Sequence, residues 1–318
     1  MNAPLASPAS PVPSAGQRPR LRGIVPPMIT PLAAADTLDV AGLEVLVARL
    51  LDGGVHGLFI LGSCGEGPSL SGALQRELIR RTTALVAGRV PVLVGISDTS
   101  FVESAALAAS AADCGAAAVV AAPPSYFPAS QDEVVGWAGS LAARVPLPLV
   151  LYNYPQLVKT AIEPESLARL AGHDSIVGIK DSEGCLRRFA AYAEVVRRER
   201  PEWSLFVGPE QMLPEAHAAG GHGGVPGGAN ILPRLFVDLQ AALEAGDAAR
   251  AAGLSARVRA LGEIYTISDS PAGGIVGLKE ALAALGVCAG ATASTFGPLS
   301  AAGRARLREV LDRIEVSS

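Results

Sequence analysis

Lys180 is the residue whose type and setting most directly imply chemistry. It is one of three lysines, with Lys159 and Lys279, in a chain whose 26 basic residues are otherwise all arginine. It ends the apolar run Ile176-Val177-Gly178-Ile179 and precedes Asp181-Ser182. An ammonium flanked by Val and Ile loses hydration, and that favours the neutral amine. A neutral amine attacks a carbonyl carbon and forms a Schiff base; a guanidinium does not. An unperturbed lysine is only about 0.04% neutral at pH 7, whereas a pKa near 8 would leave about a tenth neutral. The position alone fits equally well a lysine whose aliphatic stem carries its charge out to solvent.

Other polar groups share the same sequence context, the end of a short apolar run. Tyr152-Asn153-Tyr154-Pro155 follows Leu147–Leu151, Ser63-Cys64-Gly65-Glu66 follows Gly57–Gly62, and Ser125-Tyr126-Phe127 follows Ala117–Pro124. Gly208 ends Ser204–Val207, and Val225 leads into a glycine-rich stretch that ends at Asn230. Each has a plainer reading. Gly62–Gly67 suits a tight turn, Tyr152 suits a core edge, Tyr126 between prolines suits a loop anchor, and Gly223–Gly228 could cradle a phosphate. Their joint placement beside one lysine points to an active site.

The elements that must position these groups repeat along the chain. Eight apolar runs, Gly23–Met28, Gly57–Leu61, Val92–Ile96, Ala117–Ala121, Leu147–Tyr152, Ile176–Lys180, Ser204–Val207 and His222–Val225, alternate with segments of helical period. Runs apolar on both faces suit parallel strands covered by helices. Asp39 and Ser71 are expected N-caps, and Ser130 with Glu133 an expected capping box. Glycines at 53–54, 115 and 220–221 stand where helices end before a strand, as left-handed caps do. Eight such units predict a TIM (β/α)8 barrel over 21–245, preferred to an open doubly wound sheet because no dinucleotide fingerprint is present. Residues 246–318 predict a C-terminal helical appendage. Residues 1–20, rich in Ala, Pro and Ser, predict a disordered tail with no secretory signal.

Three motifs then align with a known family. Gly62-Ser63-Cys64-Gly65-Glu66, Tyr152-Asn153-Tyr154-Pro155 and Gly178-Ile179-Lys180-Asp181-Ser182 match, in order, its patterns G-[ST]-T-G-E, Y-N-x-P and G-x-K-[DQ]-[ST]. The chain resembles the dihydrodipicolinate synthase / N-acetylneuraminate lyase family from about residue 22 to 314. The resemblance implies a TIM barrel, class I aldolase-type chemistry on pyruvate or a 2-oxo-3-deoxy acid, and a homotetramer built from dimers. It implies Lys180 as Schiff-base lysine, with Tyr152, Ser63 and Tyr126 as a proton relay, Tyr126 reaching in from a neighbouring subunit. Cys64, Gly208, Val225 and Leu157 would line the substrate. It implies no metal and no organic cofactor, the imine taking their place. Cys64 replaces a family threonine, exchanging a hydroxyl for a poorer hydrogen-bonding thiol. Leu157 stands where dihydrodipicolinate synthases carry a carboxylate-binding arginine. After Gly208, the sequence Pro209-Glu210-Gln211 departs from the acidic pair of sialic-acid lyases, and Gly227 replaces their serine. Three functions stay in view: a 2-oxo acid lyase or aldolase, 4-hydroxy-tetrahydrodipicolinate synthase, and a 2-oxo acid sensor without turnover.

Composition narrows the rest. At 49% apolar and 18% charged, the 318 residues can build a large core. A net charge of −4 and no basic stripe exclude nucleic acid as the main partner. No apolar stretch has the length of a membrane span. Cys64, Cys114, Cys185 and Cys288 are too scattered for a disulfide frame and suit a reducing, cytoplasmic setting. The four histidines lack metal-ligand spacing.

Overall fold

The computed structural model describes residues 21–268, 270, 273–293 and 296–314. The expectation for residues 1–20 therefore lies outside the described residues. Eight parallel strands, numbered here in barrel order, are β1 (Gly23–Ile24), β2 (Leu58–Ile60), β3 (Val92–Gly95), β4 (Ala118–Ala121), β5 (Leu149–Asn153), β6 (Ile176–Asp181), β7 (Ser204–Val207) and β8 (Gly223–Gly224). Neighbours from β2 through β8 pair in sequence, and β8 pairs with β1. Extended residues after β1 complete the circle: Phe59 N donates to the Pro26 carbonyl (3.0 Å) and Met28 N to the Phe59 carbonyl (2.9 Å). The barrel is closed, as the eight runs predicted. β1 and β8 are shorter than their apolar runs because Pro26, Pro27 and Pro226, lacking N–H groups, interrupt the ladder.

Two layers of core follow from strand alternation. Outward residues such as Leu58, Ile60, Val92, Val119, Leu151 and Ile179 pack under the helices. Inward residues form a separate cluster that includes Phe59, Leu93, Val120, Val150, Tyr152 and Phe206. The expected caps form. Asp39 accepts from Gly42 N, Ser71 from Leu74 N, and Ser130 with Glu133 makes the reciprocal box. Gly54, Gly115 and Gly220 carry the left-handed turns at φ of 78°, 79° and 99°, so the second glycine of Gly53-Gly54 is the one that needs it. After the barrel helix Pro233–Glu244 come helices Ala248–Leu261, Gly273–Ala284 and Ala301–Arg313. A hairpin, Leu32–Ala34 with Thr37–Leu38, lies outside the sequence reading; Asp36 turns it in the left-handed region. No described helix is long and apolar enough to cross a membrane.

Candidate active site

A bulge aims Lys180. On β6, Ile176 packs with the outer core and Val177 with the inner one. Plain alternation from Val177 would turn Lys180 outward. The ladder to β5 instead shifts: Leu149 pairs with Ile176 but Val150 with Gly178, leaving Val177 as the extra residue. Ile179 consequently faces the helices and Lys180 the interior, opposite Tyr152. Gly178 is required at the bulge, because a Cβ there would drive into the Ser204 carbonyl oxygen of β7.

Lys180 is 5% exposed. Its Nζ lies 4.1 Å from the centre of the Tyr152 ring and 4.9 Å from that of Phe59. Burial lowers its pKa from 10.5 to about 8, with the Cys64 thiol pulling the other way. Ring faces attract a cation, so the two aromatics favour the charged amine and equally a protonated imine. Burial raises the Tyr152 phenol well above its ordinary value, while the Ser63 and Ser182 hydroxyls lower it less, so the ring is a neutral phenol at working pH. Its Oη lies 3.3 Å from Ser63 Oγ. Tyr154, tilted over Tyr152 at 5.8 Å, is pushed up to about 12, again chiefly by burial.

Polar bonds lock the ends of β5 and β6. Asn153 Nδ2 donates to Asp181 Oδ1 (2.7 Å), and Asn153 Oδ1 accepts from Ile162 N (2.9 Å). Ser182 N donates to the Asn153 carbonyl (2.8 Å). Gly208 N donates to the Asp181 carbonyl (2.7 Å), and a Cβ on Gly208 would strike the Ser182 hydroxyl. Val225 belongs to the inner cluster with Tyr152 and Phe206.

The loop after β2 is strained at both ends. Leu61 (φ 57°) and Glu66 (φ 54°) occupy the left-handed region without being glycine, which costs of order 1–2 kcal/mol each. The Leu61 carbonyl nests against Gly67 and Gly95, where any Cβ would overlap it. This turn carries Ser63 and Cys64 to the rim. Cys64 is half-buried, and burial raises its thiol, with Lys180 opposing.

A cavity of about 410 Å³ opens above Tyr152 and Phe59. Ser63, Ser97, Asp98, Ser125, Tyr154 and Leu157 contribute to its wall. Asp98 is the one acidic or basic side chain among the described lining residues. Lys159 is exposed and lies outside this lining. Leu157, 53% exposed, does border it.

The fold thus brings together Lys180, Tyr152, Ser63 and Cys64, while Gly208 and Val225 follow the ends of β7 and β8, level with the Asp181–Ser182 end of β6. Tyr126 is not brought to them within one chain. It stands 71% exposed, edge-on to Phe127 at 4.9 Å. Phe59, Ser97 and Asp98 were missed; the place of Ser97 and Asp98 beyond the end of β3 could have marked them, whereas Phe59 sits mid-strand with no such signal. A phosphate cradle at Gly223–Gly228 is contradicted. Gly228 N donates to the buried Glu210 carboxylate (2.7 Å), which places an acid where an anion would need to sit. Burial raises Glu210 to about 7, although Gly228 N and the Tyr265 hydroxyl bond to it. No cluster of metal-ligating side chains occurs among the described residues.

The site is a closed barrel with a buried lysine beside a tyrosine–serine pair at its rim. A model of the Dihydrodipicolinate synthetase family matches residues 20–314. Among curated relatives, "Probable 2-dehydro-3-deoxy-D-pentonate aldolase YjhH" of Escherichia coli K12 is 33% identical over 249 residues, 78% of this chain and 83% of the relative. Dihydrodipicolinate synthase of Bacteroides thetaiotaomicron superposes with a TM-score of 0.89 at 41% identity, covering 92% of this chain and 98% of its own. YagE, an E. coli K12 prophage protein of the dihydrodipicolinic acid synthase family solved with pyruvate, gives 0.89 at 28% identity over 93% of this chain and 99% of its own. The chain belongs to the dihydrodipicolinate synthetase family. With that family it is a class I, Schiff-base-forming lyase on a TIM barrel.

Proposed function

We propose that the protein cleaves a 2-oxo-3-deoxy acid to pyruvate and a neutral, hydroxylated aldehyde, through an imine on Lys180. The neutral amine of Lys180 attacks C2 of the 2-oxo acid, and Tyr152 delivers a proton to the departing oxygen, which leaves as water. The cationic imine sits over the Tyr152 and Phe59 rings. Ser63 and the backbone N–H groups around Cys64 hold the C1 carboxylate. The C4 hydroxyl then gives its proton to the Tyr152–Ser63 relay. The C3–C4 pair moves into the imine, forming an enamine and releasing the aldehyde. Protonation at C3 and hydrolysis by water return pyruvate and free Lys180. Tyr126, exposed here, completes the relay in an assembled homotetramer. The reaction needs no metal or organic cofactor, since the imine is the electron sink, and a cytoplasmic location suits its scattered thiols.

One observation carries the choice of substrate. Among the described residues, the lining of the cavity beyond Tyr152 carries hydroxyls and a single carboxylate, Asp98, and Leu157 supplies no positive charge. An anionic tail would be buried without a partner there, which costs far more than a neutral polyol forming hydrogen bonds. The synthase reading, which needs to hold the aspartate semialdehyde carboxylate, is therefore second. Pyruvate release should be measured for 2-oxo-3-deoxy acids ending in CH2OH and for their counterparts ending in carboxylate, together with condensation of pyruvate and aspartate semialdehyde. At least about tenfold higher kcat/KM for the neutral-ended acids is expected. Equal rates, or faster condensation with aspartate semialdehyde, would overturn this choice.

A further inference from the structure

The third lysine, Lys279, lies outside the reaction just described. It sits on the C-terminal helix Gly273–Ala284 and is fully buried. Its Nζ pairs with the Glu66 carboxylate, whose side chain is also fully buried, and donates to the Ala291 carbonyl (2.7 Å). Glu66 Oε2 accepts from Ala293 N (2.7 Å). One carboxylate thus joins the loop after β2 to a C-terminal helix and to the strand-like segment that follows it.

A buried pair of this kind adds little net stability over an apolar pair of equal volume, so its worth lies in what it fixes. What it fixes is visible in the loop. Glu66 is one of the two left-handed residues that bound the turn, and its N–H donates to the Ser63 carbonyl (3.1 Å). Thr30 Oγ1 donates to the Gly65 carbonyl (2.6 Å) from the opposite side. Ser63 in turn points its hydroxyl at Tyr152. The line from Lys279 runs through Glu66 and one backbone turn to the relay.

We infer that Glu66 and Lys279 are positioning residues, through which the C-terminal helices hold Ser63 in line with Tyr152. The inference rests on the Tyr152–Ser63 relay proposed above.

The test is a double-mutant cycle read by exchange of the C3 hydrogens of pyruvate for deuterium, which needs pyruvate alone. Ser63→Ala is expected to slow exchange about tenfold in the natural background. In a Lys279→Met background exchange is already slow, and adding Ser63→Ala should cost less than about twofold more, because the hydroxyl is no longer aimed. Glu66→Gln, which keeps an acceptor oxygen and the volume, should stay within about threefold of the natural protein. An equal Ser63→Ala effect in both backgrounds would overturn the inference. If Lys279→Met does not fold, Glu66→Met/Lys279→Met serves as the background, since it leaves no buried charge unpaired. Natural exchange speed in that folded double variant would overturn the inference as well. Failure of the natural protein to exchange pyruvate at all would instead sink the imine reading, so the two failures are separable.

Discussion

At the scale of the residue, Lys180 is badly solvated, and the reactivity proposed for it rests on that. Its pKa of about 8 against an ordinary 10.5 corresponds to about 3 kcal/mol of penalty for the charged form. The sign follows from proton counting. Between pH 8 and 10.5 the unfolded chain binds more protons at this site than the folded one, so folding stability rises with pH across that window. Below pH 8 the penalty is fully present. Lys180→Met should therefore melt several degrees higher than the natural protein at pH 7, and the gap should shrink as pH rises from 8 towards 10.5. Calorimetry across that range checks it; a gap that is absent or widens with pH contradicts it. The type of this residue and its apolar run were legible in sequence. Phe59 was not, since nothing in Leu58-Phe59-Ile60 says which side chain faces the lysine. That face is set by register, a property of pairs of strands.

At the scale of the element, periodicity revealed the eight strands and most helices because parallel strands covered on both faces leave continuous apolar runs. It could not reveal the bulge at Val177-Gly178, whose signal is one glycine in a strand. Yet the bulge decides that Lys180 faces inward. Gly178→Ala should both destabilise the barrel, by about 3 kcal/mol or more from overlap with the Ser204 carbonyl, and lose imine formation. Urea denaturation and pyruvate trapping would show this. A folded, fully active variant would mean that the bulge does not aim Lys180. The hairpin at Asp36 went unread for a related reason: its left-handed turn is made by a non-glycine residue.

At the scale of the molecule, the barrel gathers on one rim groups that lie far apart in sequence, such as Ser63 and Tyr152, 89 residues apart. The C-terminal helices looked like an appendage in sequence. The structure sends Lys279 from the helix Gly273–Ala284, and Tyr265 from the short 3-10 turn Gly262–Thr266 before it, to carboxylates of the β2 and β7 loops. These ties were illegible because each joins residues with no pattern in common. Tyr126 marks the opposite limit. Its role was implied by resemblance, and a single chain leaves it in solvent, so the relay role proposed for it requires an assembly. The proposed substrate choice also belongs to this scale, because the cavity wall is built by several loops and carries one charged side chain, Asp98, among the described residues.

The central claim is that Lys180 forms an imine with a 2-oxo acid. The protein should be mixed with pyruvate, reduced with borohydride, and its intact mass and peptide map recorded. A mass gain of one reduced pyruvyl group, located on Lys180 and abolished by Lys180→Ala, is the predicted result. An unchanged mass, or an adduct that persists in Lys180→Ala, would contradict the account.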